Sequence, residues 1–151
     1  MGYYMRFYDT MDEPLKFGAI QVALRATDPT YRLDSNTGAK PPSAELYQGP
    51  ELLGVLEMNE PGDGLFEVEI QEMIALLADS DSENRNRVES VLRNAKRTVC
   101  LQVLNQGRST QETLSGIDPL WIWLFKTRPG LLQADGEGYY DNRELILKEG
   151  W

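Results

Sequence analysis

Leu24-Arg25-Ala26-Thr27-Asp28-Pro29 and Leu124-Phe125-Lys126-Thr127-Arg128-Pro129 share the pattern Leu-x-x-Thr-x-Pro, the second copy 100 positions after the first. Proline disfavours helical geometry in the residue before it, so each copy reads as a helix that ends at its proline. Ahead of each copy lies an apolar helical stretch, and ahead of that an apolar run with strand character. After each copy come short strand-like runs separated by turn residues. The chain therefore reads as strand, helix, stop, strand, strand at both ends, with a helical segment between.

Working outward from the first copy, Tyr3 to Tyr8 is aromatic and apolar on both alternating faces apart from Arg6, as expected of an inner strand. Glu13-Pro14 is expected to open the helix, because proline suits the first helical turn. Leu15, Ala19, Val22, Ala23 and Ala26 recur at helical spacing and would face a sheet. Thr30 to Leu33 reads as a short strand. Asp34 to Ser43 reads as a loop, and Glu45 to Tyr47 with Leu52 to Met58 as a hairpin turned at Gln48-Gly49-Pro50.

The middle segment holds two helices. Phe66, Ile70, Met73, Ile74 and Leu77 form one apolar stripe behind an N-cap at Asp63. Val88, Val91, Leu92 and Ala95 form the next, capped by Ser82 or Asp81 and ending in Lys96-Arg97, whose charge suits a helix C-terminus.

Around the second copy, Thr98 to Leu104 is the other inner strand, with Val99, Leu101 and Val103 on one face. Ser109-Thr110-Gln111-Glu112 fits a capping box. A short helix to about Gly116 is expected to restart at Asp118-Pro119, with Leu120, Trp121, Leu124 and Phe125 as its buried stripe. Leu131 to Ala134, Gly138 to Tyr140 and Leu145 to Leu147 read as closing strands.

These elements predict an α+β fold: a single, mostly antiparallel sheet built from two pseudo-symmetric halves, with helices mainly on one face. The expected domain covers residues 1–151, its halves at about 1–61 and 98–151 and the helical connection at 62–97. The order of elements resembles, at fold level, the duplicated strand-helix-strand-strand of GyrI-like small-molecule-binding and gyrase-inhibitor proteins. The helical pair from Gly62 to Arg97 departs from that pattern.

Composition removes several chemistries. The chain of 151 residues carries 24 acidic and 15 basic residues, a net charge of −9, and no histidine. Such a field repels phosphate backbones and anionic lipid surfaces, so neither nucleic acid nor membrane is an expected partner. Without histidine there is no histidine general base, no Ser-His or Cys-His nucleophile pair and no histidine metal site. The single cysteine, Cys100, sits in an apolar run and reads as an inert core residue in a reducing compartment, so a cytoplasmic protein is expected. The N-terminal residues lack the build of a signal peptide. Gly2 lacks the Ser or Thr that myristoylation wants at position 6, where Arg6 stands. Asp79 to Glu83 resembles the start of a calcium loop but has Asn84 and Ser90 at its sixth and twelfth places, where Gly and Glu are required.

Four features remain as site candidates. A groove between the halves would be walled by Trp123, the Tyr3-Tyr4 edge and Tyr139-Tyr140, and exposed tryptophan favours interfaces. Arg108, Ser109 and Thr110 at a helix start could hold an anion, against simple capping. Asp135, Glu137, Asp141 and Glu144 cluster in a Gly-rich segment, either as turn residues or as a carboxylate set with Tyr140. No metal or cofactor motif is present. The expected function is non-catalytic binding of a basic protein, an acidic immunity-type role included, or of a small cationic or aromatic ligand, with a homodimer as a further expectation. The alternative is a small carboxylate-dependent, hydrolase-like enzyme without histidine.

Overall fold

Phe7 and Tyr8 are adjacent and both fully buried, because the first strand lies at the centre of a sheet covered on both sides. The computed structural model describes residues 3–36, 38–80 and 82–149. Gly2 and Asp81, considered above for modification and capping, lie outside the described residues.

In chain order the elements are β1 (Tyr3–Asp9), α1 (Phe17–Thr27), β2 (Tyr31–Asn36), β3 (Ser43–Gln48), β4 (Glu51–Asn59), α2 (Phe66–Leu76), α3 (Arg85–Asn94), β5 (Arg97–Val103), α4 (Thr110–Thr127), β6 (Gly130–Ala134), β7 (Gly138–Asp141) and β8 (Glu144–Lys148). The eight strands form one sheet in the order β2-β3-β4-β5-β1-β6-β7-β8. Every neighbouring pair is antiparallel. The α+β fold with a single antiparallel sheet is therefore as expected.

Strand alternation splits the core in two. Phe7 and Leu132 face one another in register and belong to the cluster under α1 and α4, with Ile20, Leu24, Leu101, Ile117 and Leu124. Tyr8 and Leu131, one residue along, face the other side and pack with Phe66, Ile70, Val88 and Leu92 of α2 and α3. The helices that follow the two inner strands thus share a face, as expected, and the connecting pair adds a layer on the opposite face.

The two Leu-x-x-Thr-x-Pro copies have matching local structure. Asp28 N–H donates to the Leu24 carbonyl at 3.0 Å and Arg128 N–H to the Leu124 carbonyl at 2.8 Å, and both pre-proline residues are extended. The chain then diverges: after α1 it runs to the sheet edge at β2, whereas after α4 it enters β6 beside the central β1. The outer strands consequently follow one another inward in the first half and outward in the second.

Three local expectations are corrected. Helix α1 starts at Phe17, not at Glu13-Pro14, because the Glu13 and Pro14 carbonyls accept hydrogen bonds from Arg128 at 2.9 and 3.0 Å and stay out of the helix. The stripe shifts accordingly: Ile20 and Leu24 are buried, while Val22 is 72% exposed. Helix α4 runs unbroken through Pro119. Buried Ile117, Leu120 and Trp121 on either side of the proline hold the turn that its missing donor weakens. Arg97 does not decorate a helix end; it opens β5 and turns its guanidinium onto Asp9.

That last contact belongs to a buried ionic cluster. Asp9 is fully buried and accepts from Arg97 and, at 2.6 Å, from Arg128, while its other oxygen accepts from the Met11 amide at 2.9 Å. A buried carboxylate needs such partners to stay charged. The cluster ties β1, β5 and the end of α4 to the β1–α1 connection. No helix among the described residues is long and apolar enough to cross a membrane.

Candidate functional site

Two concavities flank β1, one on each face of the sheet. The first lies under α4. Tyr3 and Met5 of β1, Leu132 and Ala134 of β6, Tyr140 of β7, and Leu114, Asp118 and Trp121 of α4 line a cleft of about 240 Å3. Glu137, Asn142 and Arg143, from the turns around β7, complete its rim. Alternation explains the set: Tyr3 and Met5 point to the same face of β1 as Phe7, and Tyr140 pairs with Leu132, so both deliver their side chains to the α4 side.

The polar centre of this cleft is Glu137. Tyr3 Oη donates to its Oε2 and Tyr140 Oη donates to its Oε1 at 2.6 Å. Glu137 follows a turn closed by Gly136, whose positive φ of 77° suits glycine. Each carboxylate oxygen keeps a further lone pair free. The hydrogen bond to Glu137, followed by burial, pushes the Tyr140 hydroxyl up to about 12. Burial and then the same carboxylate raise Tyr3 further. Both hydroxyls thus remain protonated donors at neutral pH. Trp121 is 4% exposed, and its indole N–H has no acceptor among the described residues. Across the mouth, Arg143 Nη2 lies 3.3 Å from the Asp118 carboxylate.

The second concavity, of about 270 Å3, lies on the opposite face where α2 and α3 leave the sheet uncovered. It is lined by Tyr4 and Arg6 of β1, Val55, Glu57 and Asn59 of β4, Cys100 and Gln102 of β5, and Glu69 of α2. Burial pushes the Cys100 thiol up to about 12, so it is protonated and unreactive at neutral pH.

The residues singled out in the sequence are dispersed. Tyr140 lies in the first cleft with Tyr3. Tyr139, its neighbour, faces the other way and is buried beside Tyr8, the two ring centroids 6.3 Å apart. Trp123 is half-buried against the α1–α4 core, and is not among the residues lining the first cleft. Arg108 turns inward, donating to Glu51 at 2.5 Å, to the Leu52 carbonyl at 2.6 Å and to the Leu104 carbonyl at 2.9 Å. It therefore pins the β5–α4 loop to the start of β4. Ser109 caps α4 by accepting from the Glu112 amide at 3.1 Å.

Asp135 pairs with Arg6 at 2.8 Å on the second face, and Asp141 pairs with Arg87. The clustered carboxylates hence go separate ways, and only Glu137 enters the first cleft. Among the described residues no three His, Cys, Asp or Glu side chains are grouped to hold a metal ion.

Sequence reasoning assigned Trp121 to the core alone; it is both core and cleft wall. In the sequence Asp118 reads as a helix start and Arg143 carries no signal, since their places in the cleft depend on where α4 crosses β6 and β7. No family model matches the chain, and neither a curated protein nor a solved structure shows significant similarity to it.

Proposed function

We propose that the protein is a non-catalytic binding protein whose cleft under α4 takes a small organic cation with an aromatic or aliphatic body. One observation carries this reading: the Glu137 carboxylate is fixed by two tyrosine hydroxyls over a floor of Met5, Trp121, Leu132 and Ala134. A carboxylate oriented in advance attracts a cation without having to be ordered at the moment of binding. The apolar floor suits the ligand's body, and the volume of about 240 Å3 suits a single ring or short chain. The enzyme alternative built on Asp135, Glu137 and Asp141 asks for two of these carboxylates at one point, and Asp135 and Asp141 are committed to Arg6 and Arg87.

The net charge of −9 favours a second form of the same recognition, a basic side chain of a protein partner entering the cleft. Calorimetry with 2-phenylethylamine, its neutral isostere 2-phenylethanol and a lysine-rich peptide separates these. The amine is expected to bind and the alcohol to fail. Binding by the peptide alone points to the protein partner, and equal binding by amine and alcohol overturns the role of Glu137.

A further inference from the structure

The pocket on the opposite face of β1 has two consecutive rows of side chains and one residue of a third as its floor. Val55, Gln102 and Tyr4 stand across β4, β5 and β1 in one row, Glu57, Cys100 and Arg6 in the next, and Asn59 follows on β4. Glu69 of α2 forms the wall. This polar set lies where α2 and α3 leave the sheet uncovered.

Asn59, Gln102 and Tyr4 bring neutral amide and hydroxyl groups to it, and Glu57 and Glu69 bring negative charge. Asn59 lines the pocket yet is 1% exposed, and its Oδ1 has no donor among the described residues. A buried amide oxygen without a partner costs free energy, so its retention needs an explanation. The half-buried carboxylates of Glu57 and Glu69 converge on the same space from β4 and α2, without a donor among the described residues. Burial raises the Glu69 carboxyl above its ordinary value, with Arg6 opposing and Glu57, Glu72 and Asp63 adding to the rise. Among the described residues lining the pocket, the cation is Arg6: its Nη1 donates to Gln133 at 2.7 Å and Asp135 at 2.8 Å, and its guanidinium lies 5.4 Å from the Tyr4 ring centroid. Among the described residues the pocket thus sets two carboxylates and the unpartnered Asn59 oxygen against one cation, whose Nη1 is shared with Gln133 and Asp135. Two carboxylates are too few for a metal cage, whereas a cation with several N–H donors satisfies all three at once.

We infer that this pocket is a second binding site, for a small organic cation bearing a guanidinium or primary ammonium group. The inference rests on Glu57, Asn59 and Glu69, and is independent of the cleft around Glu137.

The test is an NMR titration of 15N-labelled protein with methylguanidinium, methylammonium and urea, the last a neutral isostere of guanidinium. The expected result is saturable shifts in the amides of residues 55–59 and 99–102 with either cation and none with urea. The two cationic arms rank guanidinium against ammonium. Glu57→Gln and Glu69→Gln are each expected to weaken binding about tenfold, the effect of losing a charge-assisted hydrogen bond. Both replace half-exposed side chains, and wild-type spectra outside the pocket establish that they fold. Absence of saturable shifts, equal response to urea, unchanged affinity in both variants, or shifts confined to the cleft under α4 would each overturn the proposal.

Discussion

Tyr3 and Tyr4 are consecutive in β1 and open onto opposite faces of the sheet, Tyr3 into the cleft under α4 and Tyr4 into the pocket beside α2. One central strand therefore serves two concavities. A change of one residue in register would exchange their linings, so the register of β1 against β5 and β6 is what the candidate sites depend on.

The buried cluster at Asp9 holds that register at the C-terminal end of β1. Asp9→Ala leaves the guanidinium of Arg128, 8% exposed, without its carboxylate, and that of Arg97, 4% exposed, with only the exposed Glu60 at 3.4 Å. Removing one member of a buried ion set costs about 3–5 kcal/mol. Urea denaturation is expected to show a loss of that size with the slope of the transition unchanged. A loss below about 1 kcal/mol, the worth of a surface pair, would mean the cluster is not buried in solution.

Gly130 opens β6 beside the strand carrying Asp9. A Cβ there would stand 2.2 Å from the Tyr8 carbonyl oxygen and 2.9 Å from the Phe7 ring. Gly130→Ala is therefore expected to destabilise by about 1–3 kcal/mol or more, as overpacking does in a filled core. Gly107→Ala makes a useful contrast, since its site is open and only its φ of 85° resists a side chain. Comparable thermal midpoints for wild type and Gly130→Ala would contradict the close approach of β6 to β1.

Much of this architecture was legible in the sequence. Periodicity located the strands and the apolar stripes of α2 and α3, and the capping-box pattern located the cap at Ser109. The matching Leu-x-x-Thr-x-Pro stops ended α1 and α4 where proline geometry requires. What escaped reading depends on contacts distant along the chain. The start of α1 is set by Arg128, more than 100 residues away, whose guanidinium takes the Glu13 and Pro14 carbonyls. The unbroken course of α4 through Pro119 reflects burial on both sides of the proline. The site was legible only in part: Tyr3, Glu137 and Tyr140 were visible as aromatic and acidic residues, but strand alternation over β7 is what separates Tyr140 from Tyr139. The partners of Asp135 and Asp141, likewise, are fixed by sheet order.

Glu69 predicts a pH dependence of stability. Burial raises its titration above the ordinary glutamate value of about 4.3. Between the ordinary and the raised value the folded state holds more protons than the unfolded state, so stability falls as pH rises through that window. Above it, Glu69 is ionised in both states and its buried charge opposes folding. Glu69→Gln removes that penalty. The variant is expected to melt higher than wild type at pH 7, with the gap closing as the pH drops below about 4. Thermal scans at the two pH values check this, and a variant less stable than wild type at pH 7 would contradict it.

In the first cleft, Glu137→Gln should act on its tyrosine neighbours. With the carboxylate gone, the Tyr140 hydroxyl is expected to fall from about 12 toward the ordinary value of about 10. Ultraviolet titration of tyrosinate against wild type reads this directly. An unchanged titration curve would mean that the two hydroxyls do not meet at Glu137.

The claim that this cleft binds an organic cation through Glu137 is tested most directly by NMR titration of 15N-labelled wild-type and Glu137→Gln protein with 2-phenylethylammonium. The account predicts saturable shifts at Tyr3, Leu114, Trp121 and Tyr140 in wild type and a loss of affinity of about tenfold in the variant, with shifts at Glu57 and Cys100 absent or saturating separately. Absence of saturable shifts around the cleft in wild type, or equal affinity in the variant, would contradict it.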